Sequence, residues 1–163
     1  MCANLGDAPA PKPKAKTKGR KGALPTEKDK DFIGYVGEYL IYRALKKRYP
    51  HIGLSEWVSG NKQKFFSGSQ GDDSLGYDFY IPVSGHRILI EVKSHTGDQS
   101  YFELGSSELD AAQEALETGD IYQVWVVRNL EGGLDIDHLP NPMHKENRKY
   151  FRFEVGRVYY QTP

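Results

Sequence analysis

The stretch that decides the fold runs from residue 76 to 93 and reads GYDFYIPVSGHRILIEVK. Its two apolar halves flank Ser84-Gly85, a dipeptide suited to a two-residue hairpin turn. Counting back from that turn places Asp78 opposite Glu91. Because side chains alternate between the faces of a strand, Asp78, Glu91 and Lys93 should share one face. The other face is apolar and contains the facing pairs Phe79 with Ile90 and Ile81 with Ile88.

Two facing carboxylates destabilise a strand pair, so this arrangement requires compensation. A divalent cation between Asp78 and Glu91 would supply it, and a set of hard oxygen ligands favours Mg²⁺ or Mn²⁺. Lys93 lies about 6 to 7 Å beyond Glu91 along the strand, where its ammonium could reach a water or a phosphate oxygen. Two alternatives stay open at this point. Both acids could be solvated with Lys93 as a weak ion-pair partner, or a one-residue register shift could separate them onto opposite faces.

The length and composition of the chain predict a single domain and an intracellular protein. A chain of 163 residues fits a single core with length to spare. The lone Cys2 excludes an internal disulfide and a cysteine-based zinc site. No apolar run approaches the roughly 18 residues that would span a bilayer, and the N-terminus lacks a secretory signal. We therefore expect an intracellular protein without a membrane segment, cytoplasmic, or nuclear if the source is eukaryotic.

The formal net charge of +0 conceals a basic beginning. Between Asp7 and Glu27 the charged residues are all positive: Lys12, Lys14, Lys16, Lys18, Arg20 and Lys21. They alternate with Pro, Ala, Thr and Gly and show no apolar periodicity, which predicts a disordered arm over residues 1–25. Such an arm would bind phosphates nonspecifically. The alternative is a linker or a solubility tail.

A long helix is predicted to follow the arm. Thr26 and Asp29 form a capping-box pattern, and the apolar periodicity then continues to the basic residues before Pro50. Gly34 and Gly37 in this helix suggest that another backbone comes close. Glu38 adjoins the apolar stripe, so its carboxylate either points to the edge of the core or is an ordinary solvated glutamate.

The remaining segments predict a mixture of strands and one more helix. We expect a short strand at LSEWVS (54–59), a polar loop over 60–76, a brief strand at YFEL (101–104), a helix from Ser106 or Ser107 to near Gly119, a buried strand at IYQVWVVR (121–128) and one or two strands in KYFRFEVGRVYY (149–160). Residues 131–147 give little guidance. Lys62 and Lys64 beside Phe65 and Phe66 could contact nucleic acid, or the two rings could cover the core.

Several of these segments carry a family resemblance. The order of elements, with Asp78 before a hairpin that ends in Glu91-Val92-Lys93, resembles the PD-(D/E)xK nuclease superfamily. GYDFYIP, ILIEVKSH, YFELGSSELDAAQEA and IYQVWVVR are similar, more narrowly, to the nuclease-like domain at the C-terminus of the plant protein NO VEIN and at the ends of many bacterial helicase-, ATPase- and restriction-associated proteins. The resemblance covers roughly residues 30 to 130. It implies an α/β, restriction-endonuclease-like αβββαβ core with a mixed central sheet flanked by helices, within a domain over 26–163.

The resemblance also implies a set of site residues. Asp78, Glu91 and the Val92 carbonyl would bind the metal, Lys93 would position or activate the attacking water, and Glu38 matches an acid of the first helix. Ser94 and His95 follow Lys93 and would contact the nucleic acid, although each could also be incidental. Glu108 stands where relatives carry an Asn-Glu pair, and it could equally be a helix-capping carboxylate.

The implied function is a metal-dependent nuclease in a restriction, defence or DNA-processing system. The expected reaction is Mg²⁺-dependent hydrolysis of phosphodiester bonds, with Mn²⁺ as a substitute, by an endonuclease that acts on DNA in preference to RNA. A homodimer would explain double-strand cutting, and the relatives suggest association with a helicase or ATPase subunit. The alternative is a noncatalytic module that binds nucleic acid or protein on a nuclease scaffold.

Overall fold

The computed structural model describes residues 26–97, 99–130, 135–154 and 157–160. The helices are α1 (Glu27–Arg48) and α2 (Ser106–Thr118), and the strands are β1 (Phe79–Val83), β2 (His86–Ser94), β3 (Tyr101–Phe102), β4 (Ile121–Arg128), β5 (Asp135–Leu139), β6 (Phe151–Glu154) and β7 (Arg157–Tyr160). Short 3-10 helices cover Gly60–Lys64, Asp73–Leu75 and Lys145–Tyr150. The predicted arm over residues 1–25, with its six cations, lies outside the described residues. No described helix is long and apolar enough to cross a membrane.

The hairpin has the register that its turn predicts. β1 and β2 pair antiparallel with Phe79 facing Ile90, Ile81 facing Ile88 and Val83 facing His86. The turn places Gly85 at a φ of 82°, in the left-handed region that glycine adopts without strain. The one-residue shift that would have separated Asp78 from Glu91 is therefore excluded.

β2 and β4 are the two central strands of a mixed sheet with the order β1-β2-β4-β5. They run parallel, with Glu91 facing Val124 and Lys93 facing Val126. Parallel neighbours need a long crossover connection, which here includes β3 and α2. A second, antiparallel sheet has the order β3-β7-β6. The predicted α/β fold, a mixed sheet flanked by helices, is confirmed.

Each face of the central sheet has its own apolar core. Val92 and Trp125 pack with the buried residues of α1 on one face. Leu89 and Val124 pack with α2 and the second sheet on the other. This division follows from the alternation of side chains along β2 and β4, and it fixes which helix each polar residue of β2 can reach.

Two strand assignments differ from the sequence-based prediction. LSEWVS does not form a strand; only Trp57 makes an isolated antiparallel bridge, with Phe79. The backbone amides of Val58 and Ser59 both donate to the Asp78 carbonyl, so the hydrogen-bond ladder does not propagate. The strand β5 was not predicted at all, because its sequence DIDHL alternates polar residues at the edge of the sheet.

The helix α1 begins with the predicted capping box, in which Thr26 and Asp29 bond each other's backbone. The predicted approach of another backbone is wrong at both glycines, although Gly37 does have a close neighbour. A Cβ atom on Gly37 would lie 1.7 Å from the Ser94 hydroxyl oxygen, whereas one on Gly34 would meet nothing within 4 Å. The neighbour is a side chain of β2, so Gly37 sets the distance between α1 and the sheet.

These two glycines form a matched pair for a stability test. We expect Gly37→Ala to lower the free energy of unfolding by roughly 2 kcal/mol, because α1 must move away from Ser94. Gly34→Ala should raise it by about 0.5 to 1 kcal/mol through helix propensity alone. Urea denaturation of both variants measures the difference. Equal effects of the two substitutions would contradict the close approach at Gly37.

Candidate active site

Asp78 and Glu91 meet at the open end of the β1/β2 hairpin. Asp78 precedes β1; its amide donates to the Ile90 carbonyl at 2.9 Å, and its carboxylate Oδ2 accepts the Val92 amide at 2.8 Å. Glu91 lies in the middle of the sheet and is only 6% exposed. Asp78 is half-buried. Asp78 therefore keeps contact with solvent, whereas Glu91 is buried.

Lys93 lies between two carboxylates. Its Nζ is 2.8 Å from Glu91 Oε1 and 3.2 Å from Glu108 Oε1, and all three side chains are less than 20% exposed. Glu108 also accepts the backbone amide of Gly105, the N-cap residue of α2. The interpretation of Glu108 as a helix-capping carboxylate is confirmed, whereas its role in a functional site stays a prediction.

Glu38 faces the core from α1. It is 5% exposed, so the alternative of a solvated helix glutamate is wrong. Its Oε2 accepts the indole Nε1–H of Trp57 at 2.9 Å, and its Oε1 accepts the side-chain amide of Asn61 at 2.5 Å. Trp57 and Asn61 were not among the predicted site residues. They come from a connecting segment far from Glu38 in sequence, and no spacing pattern marks them.

The three acids repel one another in a poorly solvated place. Burial raises the pKa of Asp78 well above its ordinary value, and the charges of Glu91 and Glu38 raise it further. Burial raises the pKa of Glu91 from 4.5 to about 7, with Glu108 and Glu38 adding to the rise and Lys93 opposing it. Burial also raises the pKa of Glu38. One ammonium does not compensate this much negative charge.

Lys93 responds in the opposite direction. Burial favours its neutral form, but the charges of Glu91 and Glu108 outweigh burial and raise its pKa. Lys93 is therefore a permanent cation at neutral pH. It can donate hydrogen bonds to a water or to a phosphate oxygen, but it cannot accept a proton.

The site residues fit a hard divalent cation in charge and in donor type. Asp78 and Glu91 offer carboxylate oxygens, the ligands that Mg²⁺ and Mn²⁺ prefer, and a cation between them would stabilise the charged forms that burial and mutual repulsion disfavour. Within the described part of the chain, no group of three or more His, Cys, Asp and Glu side chains could hold a metal ion. A metal centre here would therefore depend on two carboxylates and on a backbone oxygen such as that of Val92.

Ser94 points to α1, away from the carboxylates, and His95 follows it at the end of β2. Ser94 Oγ is buried against Gly37, and within the described residues neither it nor His95 Nε2 has a hydrogen-bond partner. Burial lowers the pKa of His95. Both residues, with Lys93, line a cleft of about 380 Å³ whose other walls come from Lys30, Ile33, Thr96, Gln99, Tyr101, Phe102 and Glu103. Their role in binding nucleic acid stays a prediction, as does that of Lys12, Lys14, Lys16, Lys18, Arg20 and Lys21 in the arm.

Lys62 is not a nucleic-acid contact. It is 7% exposed, and its Nζ donates to the backbone carbonyls of Leu54 and Trp57 at 3.2 and 2.7 Å. Lys62 therefore ties the connecting segment that carries Trp57 to the 3-10 helix that carries Asn61. Lys64 in the same 3-10 helix is exposed.

Comparison with known proteins gives one match. The model of the family described as "Protein NO VEIN, C-terminal" matches residues 37–136, which include the hairpin, both helices in whole or in part, and the Asp78, Glu91 and Lys93 cluster. No curated protein and no solved structure matches the chain significantly. Because the family model covers more than half of the chain, the chain belongs to the NO VEIN C-terminal family.

Proposed function

We propose that this chain is a metal-dependent nuclease that hydrolyses phosphodiester bonds of nucleic acid. The observation that carries the proposal is the convergence of Asp78, Glu91 and the cationic Lys93 at one end of a hairpin. Asp78, Glu91 and the Val92 carbonyl would hold Mg²⁺, or Mn²⁺ in its place. When bound, the cation would lower the pKa of a coordinated water and neutralise charge on the phosphate.

The protein groups would contribute orientation and fixed charge. Lys93 would hold the attacking water by a hydrogen bond and stabilise negative charge that develops on the phosphate oxygens. Glu108 would keep the ammonium in place from the side of α2. Glu38, fixed by Trp57 and Asn61, would support the site from α1. Since Lys93 stays protonated, it would not accept the proton of the attacking water, which would pass to another group or to solvent.

The substrate and the setting follow from the same proposal. DNA is the preferred substrate over RNA, and cutting is endonucleolytic. The basic arm would add phosphate contacts to a chain whose remainder is acidic in net charge. Cutting of both strands would use a homodimer, and the chain would work with a helicase or ATPase subunit in a restriction, defence or DNA-processing system, in the cytoplasm or in a eukaryotic nucleus.

One observation favours a second candidate function. Lys93 is already bonded to both Glu91 and Glu108, so the cluster is a closed ion-pair network without any added ligand. A scaffold that has lost catalysis could keep such a network for stability. In that case the chain would be a noncatalytic module that binds nucleic acid or protein.

Incubation with labelled DNA and RNA separates the two candidates. We expect cleavage of linear and circular DNA in Mg²⁺ or Mn²⁺ and none in EDTA, because the two carboxylates need the cation to act. Opening of the circular substrate would establish endonucleolytic cutting. Thermal melting without substrate gives an independent readout, since a bound cation stabilises the folded chain. Absence of both cleavage and a melting shift would favour the noncatalytic module.

A further inference from the structure

Four aromatic rings form a continuous row on the outer side of α1. Phe32 and Tyr35 meet edge to face with centroids 5.2 Å apart, and Tyr35 meets Phe65 in the same way at 5.7 Å. Phe65 follows the 3-10 helix Gly60–Lys64 and stacks on Tyr39, with centroids 4.2 Å apart and planes at 14°. We call Phe32, Tyr35, Phe65 and Tyr39 the aromatic row.

The aromatic row is partly open to solvent. Phe32 is 55% exposed and Phe65 is 37% exposed, whereas Tyr35 and Tyr39 are half-buried. Single exposed aromatic residues are common on proteins, but linked exposed rings mark a place where something else binds. Neither core of the fold needs Phe32, which contacts the row at its outer end.

The surface of α1 beyond the first turns, beside the Tyr39 end of the row, is basic. From Gly34 to Arg48 the only acidic residue of α1 is the buried Glu38. The exposed charged residues of that stretch are all cations: Arg43, Lys46, Lys47 and Arg48. The Arg43 guanidinium lies 6.0 Å from the centre of the Tyr39 ring, and the exposed Lys64 precedes Phe65. This charge stands out because acids outnumber bases beyond the arm.

The row also borders the candidate active site. Glu38 lies between Tyr35 and Tyr39 in α1, and Asn61, which bonds Glu38, belongs to the 3-10 helix that leads to Phe65. A chain molecule lying along the row would therefore pass beside Glu38. From Phe32 to Arg43 the helix advances about 16 Å, a length that several nucleotides would cover.

We propose that the aromatic row and its cations bind a single-stranded stretch of nucleic acid next to the cleavage site; this inference rests on the proposed function. Exposed rings stack on unpaired bases, while lysine and arginine bind the phosphates between them. A duplex cannot use the rings in this way, because its bases already stack on one another. The preferred substrate would then contain an unpaired strand, such as a flap, a gap or a melted region.

Fluorescence anisotropy in EDTA tests the inference without cleavage. The probes are a labelled 12-nucleotide oligothymidine and a 12-base-pair duplex, and the protein is the full chain, so that the arm contributes equally to every variant. We expect the single strand to bind more tightly than the duplex. Phe32→Ala and Phe65→Leu should each weaken single-strand binding by about 5- to 150-fold, the range found for loss of one stacked base.

A second pair of variants tests the charges and is tolerated more easily, because both residues are exposed. In the double variant that carries Arg43→Gln and Lys64→Gln, the logarithm of single-strand affinity should depend less steeply on the logarithm of salt concentration. The slope should be smaller by about 1.4, or about 0.7 for each phosphate contact. Phe153→Leu, a 49% exposed phenylalanine on β6, and Lys145→Gln are matched controls and should change neither quantity.

The outcomes separate this inference from the nuclease proposal. Equal binding of single strand and duplex, or row variants that bind like the parent chain, would overturn the inference even if DNA is cut. Loss of binding in the row variants alone would support it even if nothing is cut. Absence of any oligonucleotide binding would also overturn it and would leave the row to a protein partner.

Discussion

Lys93→Met and Glu91→Gln are each expected to lower the rate of phosphodiester cleavage by about 1,000-fold while the chain stays folded. The lysine effect follows from the loss of the fixed cation that the proposed mechanism places against the water and the phosphate, a loss that typically costs between about 100- and 1,000-fold. The glutamate effect follows from the loss of one of the two carboxylates that the proposed mechanism assigns to the cation. An amide keeps the shape of the side chain and still accepts a hydrogen bond from Lys93, so folding should survive.

Single-turnover cleavage of labelled DNA in saturating Mg²⁺ measures both effects. Lys145→Met and Glu114→Gln, exposed residues outside the site, serve as matched controls and should cut like the parent chain. Circular dichroism and thermal melting establish that each variant is folded. A folded Lys93→Met chain that cuts at the parent rate would remove Lys93 from the mechanism and would weaken the likeness to PD-(D/E)xK nucleases.

The sequence was most informative where local geometry leaves little freedom. A two-residue turn fixes the pairing of both strands, so the meeting of Asp78 and Glu91 follows from counting residues. The capping box and the glycine at the end of α2 likewise mark helix limits through contacts between near neighbours. Families of proteins that share such local constraints resemble one another over the same stretch, which is why the likeness to NO VEIN C-terminal domains was visible from the sequence.

The environment of Glu38 could not be predicted, because it depends on contacts between distant parts of the chain. Trp57 donates to Glu38 from 19 positions away and Asn61 from 23. The buried Lys62 resembles a surface lysine in sequence, and only the folded chain places its ammonium on two backbone carbonyls. The polar edge strand β5 is missed for a related reason, since its pairing with β4 supplies the stability that its own composition does not.

The free energy of unfolding is expected to fall as the pH rises from 5 to 8, in EDTA. The pKa of Glu91 rises from 4.5 to about 7 on folding, mainly because the carboxylate is buried, so between these values the folded chain binds a proton that the unfolded chain has released. The contribution of Glu91 to the free energy of unfolding is then fully present below pH 4.5. It is lost as the pH rises through 7, by at most about 3 kcal/mol. The raised pKa of Asp78 acts in the same direction.

The difference between the parent chain and Glu91→Gln isolates this effect. Urea denaturation at several pH values should give a smaller decline for Glu91→Gln, because its side chain does not ionise. His95, whose pKa is lowered on folding and which therefore gives the opposite trend, is present in both chains and cancels. Adding Mg²⁺ to the parent chain should restore stability at pH 8 and have little effect at pH 5, since the cation competes with protons for the same oxygens. Parallel pH profiles of the two chains would mean that folding does not raise the pKa of Glu91, and the reason to place a cation beside it would be gone.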